Sequence, residues 1–199
     1  MKRIILTMAV VLTASFTNAQ ETDKETSNYS KGYIGVSIGA AFPGGDNLGD
    51  DAKTGLNLGF INAGYRFNKN WGLTLNWGGT AFSDKEESSV IYSIGYLAFG
   101  PMVSFPLNKN IVLDLKPQYA MTSGIIDTGD YGYGKVTLDK SSGFMLGSSV
   151  NFSLAKHWAL SLNLDYLSTK FDEYNDGILI FQKQDVSTFN TSLGFQYKF

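Results

Sequence analysis

The chain has 199 residues, with 16 basic and 18 acidic side chains, one His and no Cys. That length fits one domain, and the lack of Cys excludes disulfides, a thiol nucleophile and any Cys-based metal site. Charged residues reach only 17%, whereas 22 Gly, 14 Phe and 11 Tyr make a strand-and-turn composition, poor in helix formers.

The first element is "MKRIILTMAVVLTASFTNAQ". A basic start at Lys2 and Arg3, an apolar run from Ile4 to about Leu12 and small residues at Thr17 and Ala19 predict a secretory signal over 1–19. The apolar run is too short to serve as a spanning anchor, and no Cys follows the cleavage point for lipidation. Without residues 1–19 the basic count falls from 16 to 14 against 18 acidic residues, a net charge of −4. That balance points to no nucleic-acid partner. Residues 20–31, "QETDKETSNYSK", lack any apolar period and read as a flexible leader.

From residue 32 onward the apolar residues recur at period two. Eight runs follow, at about 32–42, 55–67, 71–82, 90–107, 111–124, 141–154, 158–174 and 178–199. In the third, Trp71, Leu73, Leu75 and Trp77 oppose Gly72, Thr74 and Asn76. In the seventh, Trp158, Leu160, Leu162, Leu164 and Tyr166 oppose Ala159, Ser161, Asn163 and Asp165. The last alternates Phe189, Thr191, Leu193, Phe195, Tyr197 and Phe199 with Asn190, Ser192, Gly194, Gln196 and Lys198. Two runs break phase. Within 55–67 the apolar set changes parity between Phe60 and Ile61, and within 90–107 it changes near Tyr96–Leu97. A bulge in each would restore the register.

Alternation specifies strands with unlike faces, which a soluble sandwich or a lipocalin-like secreted barrel would also show. Two features favour a barrel that spans a membrane. The runs exceed the 5–6 residues usual for globular strands. Their polar faces hold Gly, Ser, Asn and Gln rather than the Lys and Glu of a wetted surface. Lipid cannot satisfy open backbone groups, so such a sheet must close. The expected fold is an all-β, eight-stranded antiparallel up-and-down transmembrane barrel over 32–199.

Connections alternate in length. "FNKNWGL" at 67–73, "LNKNIVL" at 107–113 and "LAKHWAL" at 154–160 repeat one short device and predict tight turns on a single rim. The other links are longer, including 43–54, "SDKEESS", 125–140 and a tip at 174–177. Short turns on one rim and long loops on the other are the outer-membrane pattern. Aromatics near both rims suggest girdles.

On these features, and on the ending "LGFQYKF", the chain resembles the small eight-stranded outer-membrane β-barrel proteins of Gram-negative bacteria, the OmpA/OmpX type. The resemblance implies an outer-membrane location, a monomer, and contact with membrane lipid and the insertion machinery. It implies that Phe195, Tyr197 and Phe199 form the C-terminal insertion signal. The family hosts many roles, so it supplies no function by itself.

Candidate chemistry is sparse. His157, the sole His, falls in a short turn, far from the outer rim where a lipid-modifying acid–base group would act. No catalytic residue, cofactor or metal is expected. Asp114 and Lys116 share a strand and a face; Asp165 and Arg66 face inward as well. Such groups must pair in a narrow interior. They suggest an ion-pair plug, with a path for small ions as the competing reading. Asp46, Asp50 and Asp51 read as a wetted acidic loop rather than a calcium loop, and Tyr131–Gly134 as turn chemistry or a weak contact surface. "GILIFQK" at 177–183 lies past the expected membrane band. It suggests a protruding hairpin over 170–185 whose edge can pair with a partner strand. The expected role is non-catalytic, in envelope structure or surface contact through the outer loops. A small-solute pore or a lipid-modifying enzyme are the alternatives.

Overall fold

A computed structural model of the protein describes residues 30–45, 48–129, 134–172, 174–175, 180–181 and 184–199. The expected signal (1–19) and all but the end of the expected leader (20–31) therefore lie outside the described residues, as do Asp46, Tyr131 and positions 176–179 and 182–183.

Eight long strands close into a barrel. They are β1 (Gly32–Gly45), β2 (Gly55–Arg66), β3 (Trp71–Ser83), β4 (Ile91–Pro106), β5 (Ile111–Asp127), β6 (Lys135–Ser153), β7 (Trp158–Phe171) and β10 (Gln184–Lys198). Each pairs antiparallel with its neighbour, and β1 closes on β10 from Tyr33↔Lys198 to Gly45↔Val186. A one-turn helix, α1 (Leu48–Asp51), follows β1. The two-residue strands β8 (Tyr174–Asn175) and β9 (Ile180–Phe181) pair with each other beyond the β7–β10 ladder.

The alternation turns the greasy face outward. Along β3, Leu73, Leu75 and Trp77 are exposed, while Thr74, Asn76 and Thr80 are buried. Along β7, Leu160, Leu162 and Leu164 are exposed, while Ser161, Asn163 and Asp165 are buried. A soluble barrel would show the reverse. Aromatic pairs stand on the outer wall, among them Trp158 stacked on Phe195 at 4.9 Å, Phe60 against Trp77 at 5.5 Å, and Phe42 against Phe189 at 6.3 Å.

The short turns share one hydrogen-bond scheme. Phe67 N donates to Trp71 O, Leu107 N to Ile111 O and Leu154 N to Trp158 O, each at 2.9 Å. In the first two turns an Asn side chain adds a second lock. Asn68 Oδ1 accepts from Asn70 N and Trp71 N, and Asn108 Oδ1 accepts from Asn110 N and Ile111 N. These are Asx turns, in which a carboxamide imitates a backbone carbonyl.

The parity change in β2 is a bulge. Register shifts between Gly59 and Ile61, where Phe60 and Ile61 both face away from the interior. The β4 expectation is corrected. Its ladder with β3 runs from Trp71↔Val103 to Ser83↔Ile91 without a shift, and Ile94, Tyr96, Ala98, Met102 and Ser104 all point inward. The apparent slip arises because the interior itself turns apolar in the outer half. The segment 125–140, expected as a loop, is largely strand as well. β5 runs to Asp127 and β6 starts at Lys135, with a shift between Thr122 and Gly124. The final strand starts at Gln184 rather than 178, and β7 ends at Phe171.

β5 has 17 residues and β6 has 19, whereas a tilted crossing needs about 9–11. The surplus lies on the long-loop side, and there the pattern inverts. Phe82, Ile94, Ile126, Val136, Leu138, Leu167, Phe171 and Val186 fill the interior, capped by Leu48 of α1. Outward positions at that level carry Lys135, Thr137, Lys170 and Asp185 alongside Ile91 and Ile125, so the outer face turns mixed rather than wholly polar. Strands leaving hydrocarbon for water thus exchange a polar core for an apolar one, as burial of apolar surface requires.

Candidate functional site

The barrel interior holds the only dense set of buried charges among the described residues. Its lowest tier, next to the short turns, centres on Asp114 of β5, which is fully buried. Arg66, at the end of β2, reaches across with Nη2 at 3.0 Å from Oδ1 and 2.8 Å from Oδ2. Ser104 Oγ of β4 donates to Asp114 Oδ1, and Asn151 Nδ2 of β6 donates to Oδ2 at 2.8 Å. Arg66 Nε donates to Ser104 Oγ at 2.8 Å, and the guanidinium lies 5.4 Å from the Tyr33 ring centre. Side chains from three strands, β2, β4 and β6, therefore converge on one carboxylate of β5. A desolvated ion pair persists only when its remaining lone pairs and protons are also engaged, and this one meets that condition.

Lys116 and Asp165 form a second tier. Gly147 of β6 stands between them, in register with both. A Cβ there would come within 2.5 Å of Asp165 Oδ1 and 3.3 Å of Lys116 Cε, so the missing side chain makes the space these two share. Asp165 Oδ1 and Asn190 Oδ1, neighbours in the β7–β10 ladder, have no hydrogen-bond donor. The structure thus joins Arg66 to Asp114 and sets Lys116 beside Asp165. It does not pair Lys116 with Asp114.

Above these tiers, bonds again cross the lumen. Asn76 Nδ2 donates to Gln118 Oε1 at 3.0 Å, Tyr96 OH to Asn57 Oδ1 at 3.3 Å, and the Thr122 and Thr169 hydroxyls meet at 2.7 Å. The apolar collar follows. Ser104, Asn151 and Tyr33 escaped notice in the sequence because they are uncharged. Their inward parity was the signal that could have found them.

His157 sits on the short-turn rim. Its Nδ1 donates to Lys198 O at 3.1 Å and its ring stacks on Tyr197 at 5.5 Å. Phe195, Tyr197 and Phe199 all face outward. Asp50 and Asp51 lie in α1, where Lys85 Nζ is bound by the backbone carbonyls of Gly49 and Asp50 at 3.1 and 2.7 Å.

A family model described as the outer membrane protein beta-barrel domain matches residues 6–199. The chain belongs to that family. Its place is the Gram-negative outer membrane, with the short turns on the periplasmic side by the family's pattern. No curated protein matches the sequence. Among solved structures, Neisserial surface protein A is similar, with TM-score 0.65, 16% identity, and coverage of 85% of this chain and 98% of that one. Ail, the attachment invasion locus protein of Yersinia pestis, gives 0.54, 17%, 85% and 99%. OprG of Pseudomonas aeruginosa gives 0.53, 15%, 88% and 99%. At such identities the likeness is one of fold.

Proposed function

We propose that this protein is a non-catalytic, non-conducting outer-membrane barrel that works through the collar it raises above the outer leaflet. The observation that carries this reading is the inversion of the strands beyond the membrane band. A chain that needed only a membrane anchor would gain nothing from extending β5 and β6 and building an apolar core there. The collar gives the outer surface a rigid base, and β8–β9 continue the β7–β10 hairpin above it. A partner strand pairing with that hairpin edge is the mode of contact we favour, since an open edge offers unpaired backbone groups.

Closure of the lumen supports the non-conducting part. An eight-strand interior is only wide enough to be filled by its own side chains, and here cross-lumen bonds recur from the Arg66–Asp114 tier to the Thr122–Thr169 pair. His157 at the periplasmic rim supports the non-catalytic part, since it lies away from the outer leaflet. The test has two arms. Protein in planar bilayers should give no current above the lipid baseline. Cells bearing the full chain should bind a surface partner that cells bearing a chain with 174–181 shortened to a two-residue turn do not. Steady single-channel currents, or identical binding by both cell types, would refute the reading.

A further inference from the structure

We infer that the periplasmic rim of the barrel is an electrostatic belt that gathers anionic glycerophospholipid, of the phosphatidylglycerol class, from the leaflet around it. The charges come from the turns. Lys69, Lys109 and Lys156 each hold the middle of a short turn, and all three are exposed. Lys31, just before β1, adds a fourth exposed ammonium at the same rim. The rim stretches 30–32, 66–72, 104–113, 152–159 and 196–199 contain no Asp or Glu. Arg66 is matched by Asp114. Counting Lys198, five lysines then face one terminal carboxylate at Phe199, and the balance is four positive charges.

The apolar ends of the turns fix the depth of these charges. Phe67, Leu107 and Leu154 are 59–64% exposed, and Trp71 and Trp158 stand outward at the far ends of the first and third turns. On a spanning barrel, large apolar side chains turned outward belong in the acyl region or at its border. Each turn Lys lies two residues from such an anchor, so its Cα is at most about 7 Å away. Its methylenes can follow the apolar wall while the ammonium reaches the polar layer. The Asn68 and Asn108 locks hold Lys69 and Lys109 in place. These charges therefore stand at the depth of lipid phosphates, short of the open periplasm where a soluble polyanion would meet them.

Where the strands leave the membrane at the other end, lysines face carboxylates. Lys135 Nζ lies 3.4 Å from Asp127, and Lys170 Nζ lies 3.1 Å from Asp185. The periplasmic charge is also spread around the circumference. Lys69 lies between β2 and β3 and Lys156 between β6 and β7, on opposite sides of the barrel. At about 0.15 M salt the Debye length is about 8 Å, less than the width of an eight-stranded barrel, so each Lys acts on its own neighbours. Net headgroup charge then decides which lipid gathers. A zwitterionic headgroup offers the same phosphate with an ammonium that offsets the attraction, whereas phosphatidylglycerol keeps its full negative charge. One basic side chain at such a surface gives a preference of about fivefold.

Single-Trp variants that retain Trp71 or Trp158 report the lipid beside Lys69 or Lys156. The protein, with residues 20–31 kept so that Glu21, Asp23 and Glu25 are present, is inserted into vesicles of phosphatidylcholine and phosphatidylglycerol. One lipid or the other is brominated near the top of its acyl chains, and quenching gives their relative binding constant at each Trp. Phosphatidylglycerol should be preferred about fivefold at both positions, and the preference should vanish at about 1 M salt, where the Debye length is about 3 Å. Lys69→Gln should abolish it at Trp71 and leave it at Trp158, and Lys156→Gln should do the reverse. Should either variant fail to insert, the salt arm on the unsubstituted rim still decides. No preference at either Trp, a preference indifferent to salt, or one that survives beside the substituted Lys would each overturn the inference.

Discussion

Arg66 Nη2 donates to both carboxylate oxygens of Asp114, with almost no exposure of either side chain to water. Removing only the carboxylate by Asp114→Ala strands the guanidinium in the lumen. That should cost about 3–5 kcal/mol of unfolding free energy, read by urea unfolding in lipid. The double variant Arg66→Met, Asp114→Leu should lose less than the single change, because it buries no lone charge. A second carboxylate acts outside the membrane. Asp84 Oδ1 accepts from Glu86 N at 2.8 Å and Glu87 N at 2.9 Å, and its Oδ2 accepts from Tyr92 OH at 2.9 Å. The Glu87 N–H is the main cause of an Asp84 pKa held below the ordinary carboxylate value, despite partial desolvation. A lowered folded-state pKa means that this stabilisation is complete above the ordinary value, about 3.9, and disappears as pH falls through the folded one. Exchange protection at Glu86 and Glu87, relative to the intrinsic rate at each pH, should therefore fall below about pH 4, and Asp84→Asn should abolish that change in protection. Protection unchanged down to pH 2 would contradict it.

At the level of elements, the periplasmic turns and the outer collar make separable predictions. Asn68→Ala and Asn108→Ala each remove two side chain–backbone bonds. Each should cost about 1 kcal/mol, seen in equilibrium unfolding. The 154–158 turn closes without such an Asn, through Leu154 N and Trp158 N, so Lys156→Ala should be neutral. In the collar, Phe171 is 2% exposed, and Phe171→Ala should cost about 3–5 kcal/mol locally. Exchange protection should fall in the outer parts of β7 and β10 and stay intact around Leu162 and Leu193. The turns were legible in the sequence because their repeat is local. The collar was not, because Ile94 and Tyr96 inside β4 alternate with Leu97 and Phe99 outside it. Both faces are then apolar, and period two carries no sign.

For the whole molecule, strand number and closure were readable from alternation and from the rhythm of short and long links. The inward parity of Arg66, Asp114, Lys116 and Asp165 was readable too. Which of them meet was not. Arg66 and Asp114 stand on β2 and β5, and partners across a lumen depend on the stagger of strands that never pair. Proximity in the chain does not choose among these four charges, and the lumen sets Lys116 beside Asp165 over Gly147. The central claim concerns direction: apolar faces toward lipid, polar faces toward a filled lumen. The three tryptophans report it. Trp71, Trp77 and Trp158 are 56%, 49% and 43% exposed on the outer wall. Brominated lipids should quench the emission of single-Trp variants at all three positions. Trp77, farthest from the periplasmic turns, should respond most to bromine set deep in the acyl chains. Emission indifferent to bromine at all three sites would mean that the greasy faces point inward, as in a soluble barrel.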